Sequence, residues 1–233
     1  MKNKIVWFAR IGLIVLVIVS LFVLAACEEK EVDAPSVSLI ETVDSEPKTE
    51  GSMTQMTFLP AQGFAKADGK TNFVQIVMDS GNAIVIELKP DQAPITVANF
   101  QKLVGEEFYD GLIFHRVIQG FMIQGGDPEG TGMGGSKESI KGEFSANGVD
   151  NTLPHKRGVI SMARTRDPNS ASSQFFICDA DSPHLDGSYA AFGSVVFGLD
   201  EVDRIAALKV DMNDRPLNPP AMVSVFFVTP LSD

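Results

Sequence analysis

From Phe73 to Thr229 the apolar residues arrive in short, β-branched runs cut apart by Gly, Pro, Asp and Asn, and this punctuation restricts the fold more than any other feature of the chain. Phe73-Val74-Gln75-Ile76-Val77-Met78 and Ala83-Ile84-Val85-Ile86-Glu87-Leu88 flank Asp79-Ser80-Gly81-Asn82, the pattern of a β-hairpin. Pro94 opens a helix over Ile95–Val104, with Val97, Phe100 and Val104 at helical spacing and Gly105 placed to end it. Val202, Ile205 and Leu208 share a face, which predicts a second helix over Asp200–Leu208. Further strands are expected at Leu112–Ile118, Phe121–Gln124, Gly158–Ala163, Gln174–Cys178, Ala190–Phe197 and Met222–Thr229. Strands outnumber helices and do not alternate with them as a parallel sheet requires. The expected fold is mainly β, an antiparallel sandwich or closed barrel with two helices.

The start of the chain is built differently. Lys2, Lys4 and Arg10 precede an uncharged apolar run, Ile11–Ala26. A bilayer span needs about 20 apolar residues, so the run is short for a stop-transfer helix and suits a secretory signal core. It ends in Leu24-Ala25-Ala26-Cys27, which resembles the lipobox of bacterial lipoproteins. That resemblance implies cleavage before Cys27 and lipidation of its sulfur; the other reading is an uncleaved signal-anchor helix with an incidental cysteine. Either way the body of the protein is expected outside the cytoplasm and tethered to a membrane. Residues 28–70 are acidic, scattered with Pro, Ser and Thr, and aperiodic, as a solvated linker is. Within it, Met53–Phe64 is more apolar and is a candidate to dock on the domain. The expected organisation is a signal peptide at 1–26, a lipidated Cys27 and acidic flexible linker over 27–72, and a folded domain over 73–233.

Several function classes are excluded. The chain has 19 basic and 30 acidic side chains, a formal net charge of −11, and no basic run after residue 10, so a nucleic-acid surface is not expected. Cys27 and Cys178 supply neither a disulfide framework nor a CxxC zinc site. His115, His155 and His184 lack HxxxH spacing. Gly130-Thr131-Gly132-Met133-Gly134-Gly135 satisfies GxGxxG, but the following Ser136–Gly142 has no apolar helical face to carry a pyrophosphate site. There is no GxSxG elbow.

The chemistry is concentrated in Phe114-His115-Arg116-Val117-Ile118-Gln119-Gly120-Phe121-Met122-Ile123-Gln124-Gly125-Gly126-Asp127. Read as an extended strand, this segment sends Phe121 and Ile123 to one face and Met122 and Gln124 to the other, unless a bulge brings them to one rim. Taken alone, Arg116 in an apolar strand is a structural ion pair or a functional donor. The segment resembles the signature of the cyclophilin-type peptidyl-prolyl isomerases, as do Gly158–Arg164 with Ser173–Ile177, and His184–Gly193. The resemblance covers roughly 74–230. It implies a closed eight-stranded antiparallel β-barrel capped by two α-helices, so that 73–233 is a cyclophilin-like isomerase domain.

The resemblance also implies the site. Arg116 would donate to the prolyl nitrogen of a twisted X-Pro amide; Phe121, Met122, Phe176 and Leu185 would hold the proline ring. Gln124, with Gln174 nearby, would hydrogen-bond the substrate backbone, and the main chain at Ala163 and Arg164 would pair with it. Catalytic roles thus fall to Arg116, Phe121 and Gln124, and substrate contacts to Met122, Ala163, Arg164, Gln174, Phe176, His184, Leu185 and Tyr189. No metal or organic cofactor is implied. His184 stands where the best-known eukaryotic pattern has Trp, Tyr189 where it has His, and Arg164 where it has Asn. Weak cyclosporin binding is expected from the first exchange, and altered preference for flanking substrate residues from the third. Cys178, in a strand-like run, reads as a buried inert thiol.

The expected activity is isomerisation of X-Pro bonds in secreted or surface proteins by a monomer, lipid-anchored at Cys27 to the extracytoplasmic face of a bacterial membrane. Its partners are proline-containing polypeptides, not nucleic acid. The alternative is a binding or holding chaperone that grips proline segments in the same groove. A solute receptor is disfavoured, because the two-lobed α/β alternation of such receptors is missing.

Overall fold

The computed structural model describes residues 58–232, so the expected signal peptide, Cys27 and the expected linker as far as Thr57 lie outside the described residues. Within them the strands are β1 (Phe64–Lys66), β2 (Phe73–Met78), β3 (Ala83–Leu88), β4 (Arg116–Ile118), β5 (Met122–Gly125), β6 (Val159–Met162), β7 (Phe175–Cys178), β8 (Ala191–Phe197) and β9 (Met222–Pro230). The helices are α1 (Pro94–Gly105) and α2 (Leu199–Ala206). The strands form one antiparallel sheet of order β1-β9-β2-β3-β8-β6-β7-β5-β4.

The expected architecture is met as a mainly β fold with two helices. The closed eight-stranded barrel is not what the hydrogen bonds describe: the sheet has nine strands among the described residues, and no ladder joins β4 to β1. The stretch before β4 instead meets the start of β9 through an isolated bridge, Ile113↔Ala221, with Phe114 N–H donating to Pro220 O, Met222 N–H to Leu112 O and Gly111 N–H to Met222 O. The strand expected from Leu112 therefore starts only at Arg116, because residues 112–114 face the start of β9 rather than a full ladder.

One face of the sheet makes the core, into which α1 and α2 pack their apolar residues. Phe100 from α1 meets Tyr109, Phe175 and Phe192 with ring centroids 5.1, 5.7 and 5.2 Å apart. These tilted and edge-on pairings suit the ring quadrupoles. α1 begins at Pro94 as the sequence indicates, and the Glu143 carboxylate accepts from Ile95 N–H, Thr96 N–H and the Thr96 hydroxyl. A carboxylate from a distant loop thereby satisfies the orphan donors of the first turn.

A second apolar cluster overturns part of the linker expectation. Ala61, Ala83, Val85 and Val228 are buried together with Phe64, Phe73, Phe197 and Phe226 against them. β1 pairs with β9 in the register Phe64↔Pro230 to Lys66↔Val228. The Gln75 side chain, fully buried in β2, accepts from Ala61 N–H at 2.7 Å and donates to Leu59 O at 2.9 Å. Residues 58–66 are thus part of the folded unit and not free tether, because a buried amide in a central strand needs partners and they supply them.

Candidate active site

The register of the sheet explains how residues far apart in sequence share one surface. Arg116 in β4 pairs with Gln124 in β5, Gln124 with Phe176 in β7, and Phe176 with Ser161 in β6. Since side chains directly opposite in a ladder point to the same face, these form one row across the outer surface of the sheet. The next row carries Met122 opposite Cys178. The intervening Val117, Ile123, Phe175 and Ile177 point the other way, into the core.

Phe121 does not follow the strand alternation. It sits in the turn before β5, its N–H donating to Ile118 O at 3.0 Å, and this frees the ring to join Met122 on the outer face. The conflict between the faces of Phe121 and Met122 is resolved by a turn rather than a bulge.

These residues line a cavity of about 550 Å³, walled by Arg116, Phe121, Met122, Gln124, Ala163, Arg164, Phe176, Leu185 and Tyr189. Its apolar floor is a cluster of Met122, Phe176, Cys178 and Leu185, with Ile118, Phe121, Ala163 and Tyr189 against it. A cavity of about 320 Å³ adjoins it, sharing Gln124, Gly132, Ala163 and Arg164, and there Gln174 is found. Gln174 is linked back: Gln124 Nε2 donates to its Oε1 at 2.8 Å, and Gln174 Nε2 donates to Gly134 O at 2.7 Å. His184, a sequence candidate, does not line either cavity. It packs on the Phe121 ring with centroids 5.3 Å apart, as a backing to the wall.

The Arg116 guanidinium is half-exposed at the rim, with Nε and Nη2 each 3.3 Å from Asp214 Oδ2. Arg164 is held differently. Its Nε and Nη2 donate to Ser188 O and its Nη1 to Thr165 O, and its guanidinium carbon lies 4.6 Å from the centroid of Tyr189 and 5.0 Å from that of Phe144. The side chain therefore braces Tyr189 instead of reaching across the groove. Ala163 N–H donates to Gln174 O, while Arg164 N–H donates to no protein group among the described residues, leaving one main-chain donor on the rim beside β6.

Several site residues were not among the candidates named from the sequence. His115, Thr131, Gly132, Asp211, Asn213 and Arg215 complete the cavity wall. His115 is buried with neither ring nitrogen hydrogen-bonded among the described residues, and burial, the largest influence, holds its pKa below the ordinary value. His155 stacks on Phe176 at 6.1 Å and 17°, its Nδ1 2.9 Å from Asp186 Oδ1 and its Nε2 3.0 Å from Ser161 Oγ. Burial again lowers its pKa, partly opposed by Asp186. This buried imidazole stiffens the floor from behind. Ser161 is fully buried, so the Asp186–His155–Ser161 chain is structural and offers no exposed nucleophile.

The glycine-rich run after β5 wraps a carboxylate. Asp127 accepts from the N–H groups of Glu129, Thr131, Gly132 and Gly134. Burial pushes its carboxyl up, but those donors win and hold it below the usual range. The spacing that mimics a dinucleotide fingerprint serves this loop. Cys178 is fully buried, and burial pushes its thiol up to about 12, which keeps it protonated and unreactive.

Comparison with known proteins completes the picture. A family model described as cyclophilin type peptidyl-prolyl cis-trans isomerase/CLD matches residues 73–226. Peptidyl-prolyl cis-trans isomerase ppi1 of Schizosaccharomyces pombe is 48% identical over 137 residues, 58% of this chain and 86% of that protein. Peptidyl-prolyl cis-trans isomerase B of Bacillus subtilis is 48% identical over 124 residues, covering 53% and 83%. The crystal structure of a Cryptosporidium parvum cyclophilin type isomerase in the presence of the dipeptide Ala-Pro aligns with a TM-score of 0.61 at 31% identity, covering 69% of this chain and 99% of that one.

Proposed function

The chain belongs to the cyclophilin-type peptidyl-prolyl cis-trans isomerases, and from that premise we propose that it accelerates X-Pro rotation in secreted or surface polypeptides, with Arg116 stabilising the twisted amide. Rotation must break amide resonance against a barrier of about 18–20 kcal/mol, and unaided it takes about 10–100 s. In the twisted state the prolyl nitrogen regains its lone pair and becomes an acceptor. A donor aimed at it binds that state more strongly than the planar one, which is the condition for catalysis.

The observation that carries this reading is the shared row: Arg116, Gln124 and Phe176 face one trough whose floor is apolar. A proline ring seated against Phe121, Met122, Phe176 and Leu185 anchors one side of the bond. The substrate backbone lies along Ala163 and Arg164, where the free Arg164 N–H meets a carbonyl, and Gln124 meets a second backbone group. A guanidinium suits the donor role because it stays charged and presents a rigid fork of N–H groups. No proton is transferred and no covalent bond forms.

The test is a proline-peptide isomerisation assay on the soluble domain. Arg116→Ala is expected to lower kcat/KM by about 10²–10³-fold, the loss seen when one transition-state donor is removed. Equal rates would remove the mechanism. We further propose that Cys27 is lipidated and holds the enzyme on the extracytoplasmic face of a bacterial membrane. That reading rests on Leu24-Ala25-Ala26-Cys27, and incorporation of a labelled lipid into wild type but not Cys27→Ala tests it.

A further inference from the structure

We propose that Asp214 is a positioning residue for the isomerisation step, acting through Arg116; the inference rests on the reading of Arg116 as the donor to the prolyl nitrogen. The carboxylate is delivered by a turn built with unusual care. Between Lys209 and Leu217 the chain folds back on itself, with Val210 bridged to Pro216 and Leu217 N–H donating to Lys209 O at 2.9 Å. The Asp211 carboxylate accepts from Asn213 N–H and Arg215 N–H, and Arg215 Nη1 reaches across to Gly130 O. At its tip Asp214 takes φ +61°, a left-handed conformation that costs a residue with a Cβ free energy and persists only where its surroundings enforce it.

The strain places two groups of one residue on one strand. Asp214 O accepts from Val117 N–H at 2.8 Å, so its backbone docks on β4 at the position after Arg116. From there Oδ2 faces Nε and Nη2 of Arg116, each at 3.3 Å. That is longer than a tight charge-assisted bond, and both side chains are half-exposed, so the pair adds little to stability. Its geometric effect is larger. The carboxylate occupies the Nε–Nη2 edge of the guanidinium and no protein group among the described residues accepts from Nη1, fixing at the cavity wall a long side chain that would otherwise sample many rotamers. The entropy of aiming the donor is then lost on folding and not at each turnover.

Asp214→Asn separates the parts of this argument. Asn is nearly isosteric, tolerates the left-handed backbone and keeps the bond to Val117, but removes the charge. Its expected signature is a fall in kcat of about 3–10-fold with KM unchanged, as for a displaced reacting group, and a Tm within about 2 °C of wild type. The side-chain Nε–H resonance of Arg116 is expected to move, and Asp214→Gly to reproduce the loss. In an Arg116→Ala background, Asp214→Asn is expected to change nothing more. If Arg116→Ala loses activity while Asp214→Asn keeps the wild-type kcat, or lowers it equally in both backgrounds, the positioning role is overturned and the reading of Arg116 stands. If Arg116→Ala itself keeps the full rate, the underlying reading fails.

Discussion

Deleting residues 58–66 from a chain that begins at Phe58 measures how far the folded unit reaches beyond the family match that starts at residue 73. The deletion removes both partners of the buried Gln75 amide, and an unmatched buried polar group costs about 1–3 kcal/mol. It also strips Ala61 and Phe64 from the cluster around Val85 and Val228, for about 1–2 kcal/mol if half of a large side chain's burial is lost. Water entering the vacated edge recovers part of the polar loss, leaving about 2–4 kcal/mol. At roughly 2–4 °C per kcal/mol for a domain of this size, Tm should fall by about 4–16 °C in calorimetry. The rate on a proline tetrapeptide, measured well below both transitions, should stay within about twofold, since none of residues 58–66 lines either cavity. A Tm shift under about 1 °C would refute the claim that these residues belong to the fold.

The other predictions concern the site and its backing. Burial holds the His155 imidazole below its ordinary range, and His155's own N–H groups, chiefly that of its backbone, hold the Asp186 carboxyl below its own. For both groups the unfolded chain binds more protons, so their stabilisation is complete above about pH 6.5 and is lost as pH falls; Tm should drop toward about pH 5, and His155→Gln should flatten that slope. The Cys178 thiol of a chain lacking residues 1–57 should resist an alkylating reagent at neutral pH and react only in denaturant; rapid labelling of the native domain would contradict its burial. Asp127→Asn weakens the carboxylate's hold on the N–H groups around it and should destabilise by about 1–3 kcal/mol, with a raised KM because Gly132 lines the cavity. Cyclosporin should bind weakly because His184 backs Phe121 instead of walling the trough, and a submicromolar dissociation constant in calorimetry would disprove it.

The strands of the isomerase domain were legible because their runs are rich in Val, Ile and Phe and are bounded by Gly and Pro, and the register then follows from which face is apolar. β1 was not legible: Phe64-Ala65-Lys66 is too short for periodicity, and its pairing is fixed by β9, at the far end of the chain. The faces of Phe121 and Met122 were misread as a strand problem because alternation says nothing about where a turn begins. Arg116, Gln124 and Phe176 were recognised through motif resemblance, yet their adjacency is a property of pairing between distant strands. Asp214 and His155 were invisible for the same reason: their partners lie 98 residues away and, for His155, 31 and 6 residues away. No local pattern encodes such contacts, and only the folded sheet brings them together.

The two walls of the cavity differ in mechanical character. Phe176 is pinned in a central strand between β5 and β6 and backed by a tethered imidazole, whereas Phe121 rides on a loop corner held by its own N–H and by Asp179 N–H, which donates to Phe121 O. One side of the trough is an anvil and the other a spring. A bulkier or slimmer residue at 121 retunes the width of the opening without touching the hydrogen-bonded register. A similar exchange at 176 must be absorbed by the whole sheet. Variants selected for new client sequences should therefore accumulate on the corner and spare the ladder.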